Sequence, residues 1–265
     1  MEPGRRKMYF WYATAIIAAL IVAFILFVIA DTRYPDGDTP LLSGLYTDIG
    51  LPFSHFRGKV SIVDGEEARA AFHERGNITL TAGKNNPIGV TITGWKLVFG
   101  KETFEIGEGA HLPHFGAVNT TSFITLGPTD TAVLSLRESP TGYSFRINRC
   151  SGYFEQFQDF DPPLVKRCPR PNHAPLAPLC SVYLERLSAC ETPLTFAPEI
   201  PLLCKDPLQL ASSYEGCINE HSGDYDFYMG EWRIFLGSGT LVRRVGRVDL
   251  FDSGDALVDT LYLGI

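Results

Sequence analysis

The chain has 265 residues, of which 45 % are apolar and 20 % are charged, and this composition excludes an intrinsically disordered protein. Its length accommodates one large domain or two small ones. The net charge is −7, and residues 8–265 carry −9 because residues 1–7 contribute +2. Such an acidic chain is not typical of a general binder of nucleic acids or anionic membranes.

An apolar block near the N-terminus predicts a membrane anchor. Met8–Ala30 contains no charged residue, and about 20 such residues suffice for a helix to cross a bilayer. Basic residues precede the block and acidic residues follow it, so the positive-inside rule predicts a cytoplasmic tail 1–7 and an exported C-terminal part. A cleaved signal peptide is the alternative, but its apolar core usually has only about 7–15 residues.

The remainder of the chain predicts a linker followed by a β-sandwich with an insertion. Segment 31–57 is rich in Pro, Gly, Asp and Ser, as extended linkers are. From residue 58, runs of β-branched and aromatic residues predict strands; these runs are KVSIV, NITLTA, GVTIT, WKLVF, TFEI and TAVLSL. Strand character stops near residue 149 and resumes near residue 230 with EWRIFLG, VGRVDLFD and ALVDTLYL. Because three closing strands alone lack a partner sheet, we expect one sandwich over 58–265 with an insertion at 149–229.

The insertion contains all of the cysteines. There are six, at positions Cys150, Cys168, Cys180, Cys190, Cys204 and Cys217, and an even number on the exported side predicts three disulfides. A metal site is the weaker alternative, because no CxxC pair is present.

Two helices are also predicted in the insertion, over Leu179–Leu187 and Pro207–Asn219, the second with Asp206 as its N-cap. If these helices lie antiparallel, the expected pairs are Cys180–Cys217 and Cys190–Cys204, and Cys150–Cys168 remains.

Two stretches of the chain resemble the lamin-tail domain family. NITLTAGKNNPIGVTITGWKLVFGKETFEIGEGAHL is similar to the opening of that family, with a Gly94-Trp95-Lys96-Leu97 element, and VGRVDLFDSGDALVD is similar to its closing hairpin. SPTGYSFRINRCSGYFEQFQDFDPPL and YEGCINEHSGDYDFYMGEWRIFLG resemble a membrane-anchored subgroup from candidate-phylum bacteria that carries a cysteine-rich helical insertion.

The resemblance implies a mainly β fold, an immunoglobulin-like sandwich with a disulfide-rich helical insertion, preceded by one transmembrane helix. It implies no reaction, because a fold alone does not determine function. We expect Trp95 and Phe104 to lie in the sandwich core. Trp232 and Arg233 follow the insertion, and we expect them to fix it on the sandwich by packing and by hydrogen bonds from the guanidinium.

The candidate binding residues are aromatic and basic. Tyr153, Phe154 and Phe157 lie in a short segment between two cysteines; they either pack beneath the helices or form an exposed contact surface. Arg243 and Arg244 lie close to Arg233 and Arg247 in the sequence, and a basic patch there would favour a nucleic-acid ligand.

The motif search favours binding over catalysis. The sequence contains no GxSxG, no HExxH and no phosphate-cradling Gly-Lys loop. We therefore expect no enzymatic activity, no cofactor and no metal. The sequence predicts a single-pass surface protein that serves adhesion or envelope organisation through protein or glycan contacts. The alternatives are a purely structural envelope protein and an accessory to a nuclease or DNA-uptake enzyme.

Overall fold

The computed structural model describes residues 52–114, 116–171, 176–237 and 245–264. The predicted tail 1–7, the predicted anchor 8–30, residues 31–51 of the predicted linker, and Arg243 and Arg244 lie outside the described residues. From Pro52 onward the chain forms one compact unit. In the described ranges, no helix combines the length and the apolarity needed to span a membrane.

Most of the described chain forms strands. In chain order they are β1 Val60–Ile62, β2 Asn77–Ala82, β3 Val90–Thr91, β4 Lys96–Phe99, β5 Glu102–Glu105, β6 Gly109–Ala110, β7 Thr121–Ser122, β8 Thr125–Leu126, β9 Thr131–Ser135, β10 Ser144–Asn148, β11 Tyr228–Phe235, β12 Arg247–Phe251 and β13 Leu257–Tyr262. The helices are α1 Glu66–Arg75, α2 Pro178–Leu184, α3 Leu202–Ala211 and α4 Tyr214–His221, with a 3-10 helix at Ser151–Gln156. The predicted β-rich fold is confirmed at this level.

The strands form two main sheets that share one core. The larger sheet has seven strands in the order β1-β2-β9-β11-β10-β6-β7, and the smaller has four in the order β13-β12-β4-β5. The larger sheet is mixed, because β9 and β11 are parallel neighbours, as are β6 and β10. Leu80, Leu134 and Trp232 of the larger sheet pack in one cluster with Leu97 and Leu250 of the smaller sheet.

Residues 149–227 connect β10 to β11, which are antiparallel neighbours in the larger sheet. Phe145 and Ile147 of β10 belong to a second core cluster, together with Phe154 and Phe160 of the connecting segment. Around β10 and β11, the larger sheet is therefore covered on both faces, by the smaller sheet on one side and by the insertion on the other.

Helix α1 was not predicted from the sequence. Only Phe72 among its residues is fully buried, so the segment lacks the broad apolar stripe that identifies a helix. Its ends are nevertheless well formed, because Glu66 and Glu67 lie in the first turn and Arg75 in the last. Gly76 ends the helix with a left-handed φ of 72°, where glycine is favoured.

Candidate functional site

Three disulfides staple the insertion, and they indicate an oxidising, extracytoplasmic environment. The bonds are Cys150–Cys217, Cys168–Cys190 and Cys180–Cys204. The prediction of three disulfides is confirmed. The predicted pairing Cys150–Cys168, Cys180–Cys217 and Cys190–Cys204 is wrong for all three bonds.

The pairing differs because the second predicted helix is two helices. Helix α3 begins at Leu202 and ends at Ala211, so Pro207 lies inside it rather than in a first turn after Asp206. The chain then turns, and the Ser213 hydroxyl caps α4 by accepting a hydrogen bond from the Gly216 amide at 3.0 Å. Cys204 and Cys217 are therefore on different helices. Cys204 bonds to Cys180 on α2, and Cys217 bonds to Cys150 beside the sheet.

The aromatic candidates divide into buried and exposed residues. Tyr153 and Phe154 are each only 1 % exposed, so the hypothesis that they form a contact surface is wrong. The Phe154 ring lies 4.4 Å from that of Tyr214 and meets the Phe145 ring edge-on at 5.7 Å. These residues fill the space between the insertion and β10. Phe157, which follows the 3-10 helix, is 48 % exposed.

Arg233 ties the insertion to the larger sheet. Its side chain is only 8 % exposed, and its Nη1 donates to the Pro162 carbonyl at 2.6 Å while its Nη2 lies 3.4 Å from the Pro163 carbonyl. Nε donates to the Glu231 carboxylate at 2.6 Å. The neighbouring Trp232 points to the opposite face of β11 and is completely buried in the sandwich core. Adjacent residues of one strand thus hold the two layers on either side of the sheet.

A carboxylate in the same segment makes a second connection. Asp161 accepts a hydrogen bond from the Asn77 side-chain amide at 3.3 Å and lies 3.2 Å from Arg137 and 3.7 Å from Arg75. Asn77, Arg137 and Arg75 lie at the end of the larger sheet opposite Cys150. Asp161 therefore connects the insertion to the end of the larger sheet opposite Cys150.

The segment 176–211, here called the stapled hairpin, forms a small core of its own. The side chains of this core are Leu176, Cys180, Leu184, Cys204 and Leu208. Cys190, in the same segment, belongs instead to the second core cluster and is bonded to Cys168. The hairpin also exposes several large apolar side chains, namely Leu179, Val182, Leu194, Leu202, Leu203 and Leu210.

The exposed apolar side of α3 was not predicted from the sequence. One long helix over Pro207–Asn219 places Leu210 on the same buried side as Tyr214. In the structure, Leu203 and Leu210 are seven residues apart on the outward side, 65 % and 55 % exposed. The available signal was composition, since leucines at 202, 203, 208 and 210 are too many for one buried face of a short helix.

A charged loop precedes β11 and presents a tyrosine. Arg149 donates to Asp226 at 3.1 Å and lies 3.8 Å from Asp224, while Asp224 also contacts His221 Nδ1 at 2.9 Å. These contacts fix the loop, and the Tyr225 side chain between the two aspartates is fully exposed. Among the described residues, no group of three or more His, Cys, Asp or Glu side chains could hold a metal ion.

Two buried phenols have raised pKa values. Burial raises the pKa of Tyr153 to about 12. Burial also raises the pKa of Tyr214, although the hydrogen bond from the Asn148 side-chain amide, at 3.0 Å, opposes this change. Both side chains are therefore neutral parts of the second core. The pKa of His111 is lowered by its burial and then by the nearby Arg146 charge, so this histidine favours its neutral form.

The predicted arginine patch loses two of its four members. Arg233 is buried against the insertion, and Arg247 pairs with Asp249 within β12 at 2.6 Å. Arg243 and Arg244 lie outside the described residues. The patch that would favour a nucleic-acid ligand is therefore not assembled from the described arginines.

Comparison of the chain with protein-family models, with curated proteins and with solved structures finds no match.

Proposed function

We propose that this protein is a membrane-anchored surface binding module that contacts a protein or glycan partner in adhesion or envelope organisation. The observation that carries the proposal is the distribution of exposed apolar side chains. Among the described residues, ten of the fifteen large exposed ones belong to the insertion 149–229. Concentrated exposed apolar surface is typical of interaction sites.

The remainder of the unit has the properties of a scaffold. The two sheets bury their large apolar side chains in a common core, and the insertion rests on the larger sheet through Arg233 and Asp161. Recognition segments carried by a rigid framework are common in binding proteins. The disulfides favour exported use, and the apolar block Met8–Ala30 supports a single-pass anchor with the C-terminal unit outside.

We also propose that the sandwich is of the immunoglobulin-like, lamin-tail kind. The two stretches that resemble this family are adjacent in space, because β4, which follows Trp95, pairs with β12 of the closing hairpin. Leu97 lies opposite Leu250 in this pairing. This adjacency supports the proposal, and an experimental structure compared with lamin-tail domains tests it.

Tyr225 and Phe157 are the residues that we assign to partner contact. Aromatic side chains are enriched in interfaces because they bury a large area at a low cost in conformational entropy. The ion pairs of Arg149 hold the Tyr225 loop in place before any partner binds. A purely structural envelope protein has no need of a fixed, fully exposed tyrosine.

The test is affinity capture with matched variants. The oxidised protein is immobilised and exposed to envelope extracts, beside Tyr225→Ser, Phe157→Ser and the control Tyr262→Ser, whose side chain is exposed on β13 of the sandwich. Each captured partner is identified, purified and titrated directly against the four proteins. We expect a binding loss of tenfold or more for Tyr225→Ser or Phe157→Ser and no loss for the control.

The other outcomes favour the alternatives. Equal binding by all four proteins would show that Tyr225 and Phe157 are not contact residues. The absence of any specific partner would favour a purely structural role. Salt-sensitive binding of DNA by all four proteins would favour an accessory of a nuclease or of DNA uptake.

A further inference from the structure

The sandwich-facing side of the larger sheet changes from apolar to polar at β10. Strand pairing places one row of side chains across five strands, formed by Ile62, Leu80, Ala132, Trp232 and Arg146. Because Phe145 pairs with Ala110, the next residue, His111, continues this row beyond Arg146. The four apolar members of the row belong to the sandwich core, whereas Arg146 and His111 are only partly buried. The sheet therefore extends past its apolar core and presents polar side chains there.

Among the described residues, the Arg146 guanidinium finds no hydrogen-bond acceptor. Its central carbon lies 4.5 Å from the centre of the Tyr228 ring, and its Nε is enclosed by the protein without a partner. The Asp130 carboxylate lies 3.6 Å from Nη2, which is beyond hydrogen-bonding distance. Arg233 on the neighbouring strand, in contrast, donates to a carbonyl and to a carboxylate. The Arg146 side chain is 23 % exposed, so its Nη donors remain available to a ligand.

Asp130 supplies an acceptor beside these donors. Its Oδ2 accepts a hydrogen bond from the Gly127 amide at 2.9 Å, whereas its Oδ1 accepts none from the described residues. A Cβ at position 230 would lie 2.8 Å from Oδ1, and Gly230 has a left-handed φ of 67°. Glycine at this position thus allows the irregular pairing of β10 with β11 and leaves room for the carboxylate.

His111 adds a neutral polar group to the site. Its ring meets the Trp232 ring edge-on at 4.9 Å. Burial and the nearby Arg146 charge lower its pKa, so the ring favours the neutral form. A neutral imidazole carries one donor and one acceptor.

Charge and hydrogen-bonding capacity select the class of ligand. The charges of Arg146 and Asp130 cancel, so a carboxylate ligand is repelled by Asp130 and a cationic one by Arg146. A hydroxyl group both donates and accepts hydrogen bonds. Neighbouring hydroxyls of a sugar ring can therefore accept from the guanidinium and donate to the carboxylate across the 3.6 Å that separates them.

The position of the site within the sheet favours a sugar over an extended peptide. Extended peptides commonly add to the free edge of a sheet, where main-chain groups are open. Arg146 lies on β10, which has β11 on one side and β6 on the other. A ligand of this site is therefore recognised by side chains and not by strand addition.

We propose that Arg146, Asp130 and His111 form a binding site for the hydroxyl groups of an uncharged glycan. Arg146 donates to one hydroxyl, Asp130 accepts from a neighbouring one, and the Tyr228 ring holds the guanidinium in place. The site does not include Tyr225 or Phe157, so it is additional to the proposed function. A site with few hydrogen bonds binds weakly, and a repetitive glycan compensates by engaging many copies of the protein.

The test titrates the oxidised full chain, kept in a detergent without sugar groups, with defined probes. The uncharged probes are tetrasaccharides of glucose, mannose, galactose and N-acetylglucosamine. Tetragalacturonate is the carboxylate-bearing probe, and a hexapeptide of alanine and serine with blocked termini is the peptide probe. The site variants are Asp130→Asn and Arg146→Gln. The control variants Asp64→Asn and Arg69→Gln are matched, because Asp64 also accepts a glycine amide, at 2.7 Å, and pairs with Arg69 at 2.9 Å.

We expect at least one uncharged tetrasaccharide to bind, at least tenfold more weakly to both site variants and with unchanged affinity to the controls. Added salt should not weaken this binding, because the ligand carries no charge. In the unaltered protein, the tetrasaccharide should shift the NMR signal of the His111 ring, which is identified by its absence in His111→Gln. Folding of each variant is checked by the mass of its three-disulfide form and by circular dichroism.

Four results overturn the inference, and they are distinguishable from a failure of the proposed function. Absence of binding by every uncharged probe, or a loss no greater than that of the controls, shows that the site takes no neutral glycan. A preference for tetragalacturonate shows a carboxylate site, and binding of the hexapeptide alone shows a peptide site. Sugar binding that is lost in Tyr225→Ser or Phe157→Ser but kept in Asp130→Asn places the sugar on the contact residues of the proposed function, which then stands.

Discussion

Removing the Arg233 guanidinium tests whether one side chain holds the insertion on the sandwich. In Arg233→Ala, the Pro162 carbonyl loses a charged donor at 2.6 Å and the Glu231 carboxylate loses its partner. A hydrogen bond to a charged group contributes about 1.5–3 kcal/mol, and burial makes an unpaired group more costly. We expect a loss of about 2.5 kcal/mol in the free energy of unfolding.

The assay is thermal unfolding of the oxidised protein followed by circular dichroism. For a unit of this size, 1 kcal/mol lowers Tm by roughly 2–4 °C, so Arg233→Ala should lower it by roughly 5–10 °C. The control is Arg69→Ala, because Arg69 pairs with Asp64 on the surface, where both side chains are largely exposed. An exposed pair contributes only about 0.2–1 kcal/mol.

Proteolysis shows where the loss acts. Every disulfide joins two residues within 150–217, so no bridge connects the insertion to the sheets beyond β10. If Arg233 is the main polar tie, its loss should speed cleavage in residues 157–171 before the sandwich is cut. A Tm change no larger than that of Arg69→Ala, with unchanged cleavage, would refute this account of how the insertion is held.

Three further predictions follow from burial. Gly109→Ala should destabilise the fold by about 1–3 kcal/mol in denaturant titrations, because its Cβ would lie 2.8 Å from the Trp232 ring, whereas Gly107→Ala, with open space, should change little. Tyr153→Phe should resist alkaline unfolding better than the natural protein. Because the pKa of Tyr153 in the folded state is raised to about 12, the contribution of the neutral phenol to folding stability is present below pH ~10 and is lost as pH rises toward 12. Removing Cys180–Cys204, which spans 24 residues, should cost about 3 kcal/mol locally, seen as faster cleavage of the hairpin while the melting of the sheets is unchanged.

The strands were predictable because alternation and β-branched runs reflect burial on a sheet face. NITLTA and TAVLSL, both predicted as strands, form β2 and β9. The parallel pairing of β9 with β11 was not predictable, because it depends on which distant strands meet after the insertion has folded.

The predicted disulfide pairing was wrong because of a single local error in the predicted helices. One long helix over Pro207–Asn219 would have carried Cys217 away from β10 along the hairpin. The actual turn at Ser212 and Ser213 returns the chain to the sheet, where Cys217 reaches Cys150. Ser212 accounts for part of this turn, because its hydroxyl donates to the Leu208 carbonyl at 2.6 Å. Such competition between side chain and backbone is weakly encoded in sequence.

The burial of the aromatic residues likewise depends on tertiary packing. Phe154 and Phe157 are three residues apart, a spacing that places two side chains on one face of a regular helix. The 3-10 helix ends at Gln156, so Phe157 leaves that face while Phe154 continues into the core. Sequence spacing alone therefore assigned two residues with different environments to the same surface.

A last prediction concerns whether the insertion is an addition to a complete fold or part of it. Because Asn148 and Tyr228 are direct neighbours across β10 and β11, a short turn can replace residues 149–227 without stretching the chain. Such a deletion would expose Phe145 and Ile147, which the insertion covers in the second core cluster. We expect the shortened protein to associate or precipitate, as measured by light scattering, while substitution of both exposed side chains by Ser or Thr should restore solubility. A shortened protein that stays monomeric without these substitutions would show that the sandwich is complete without the insertion, and that the larger sheet does not need a layer on each of its faces.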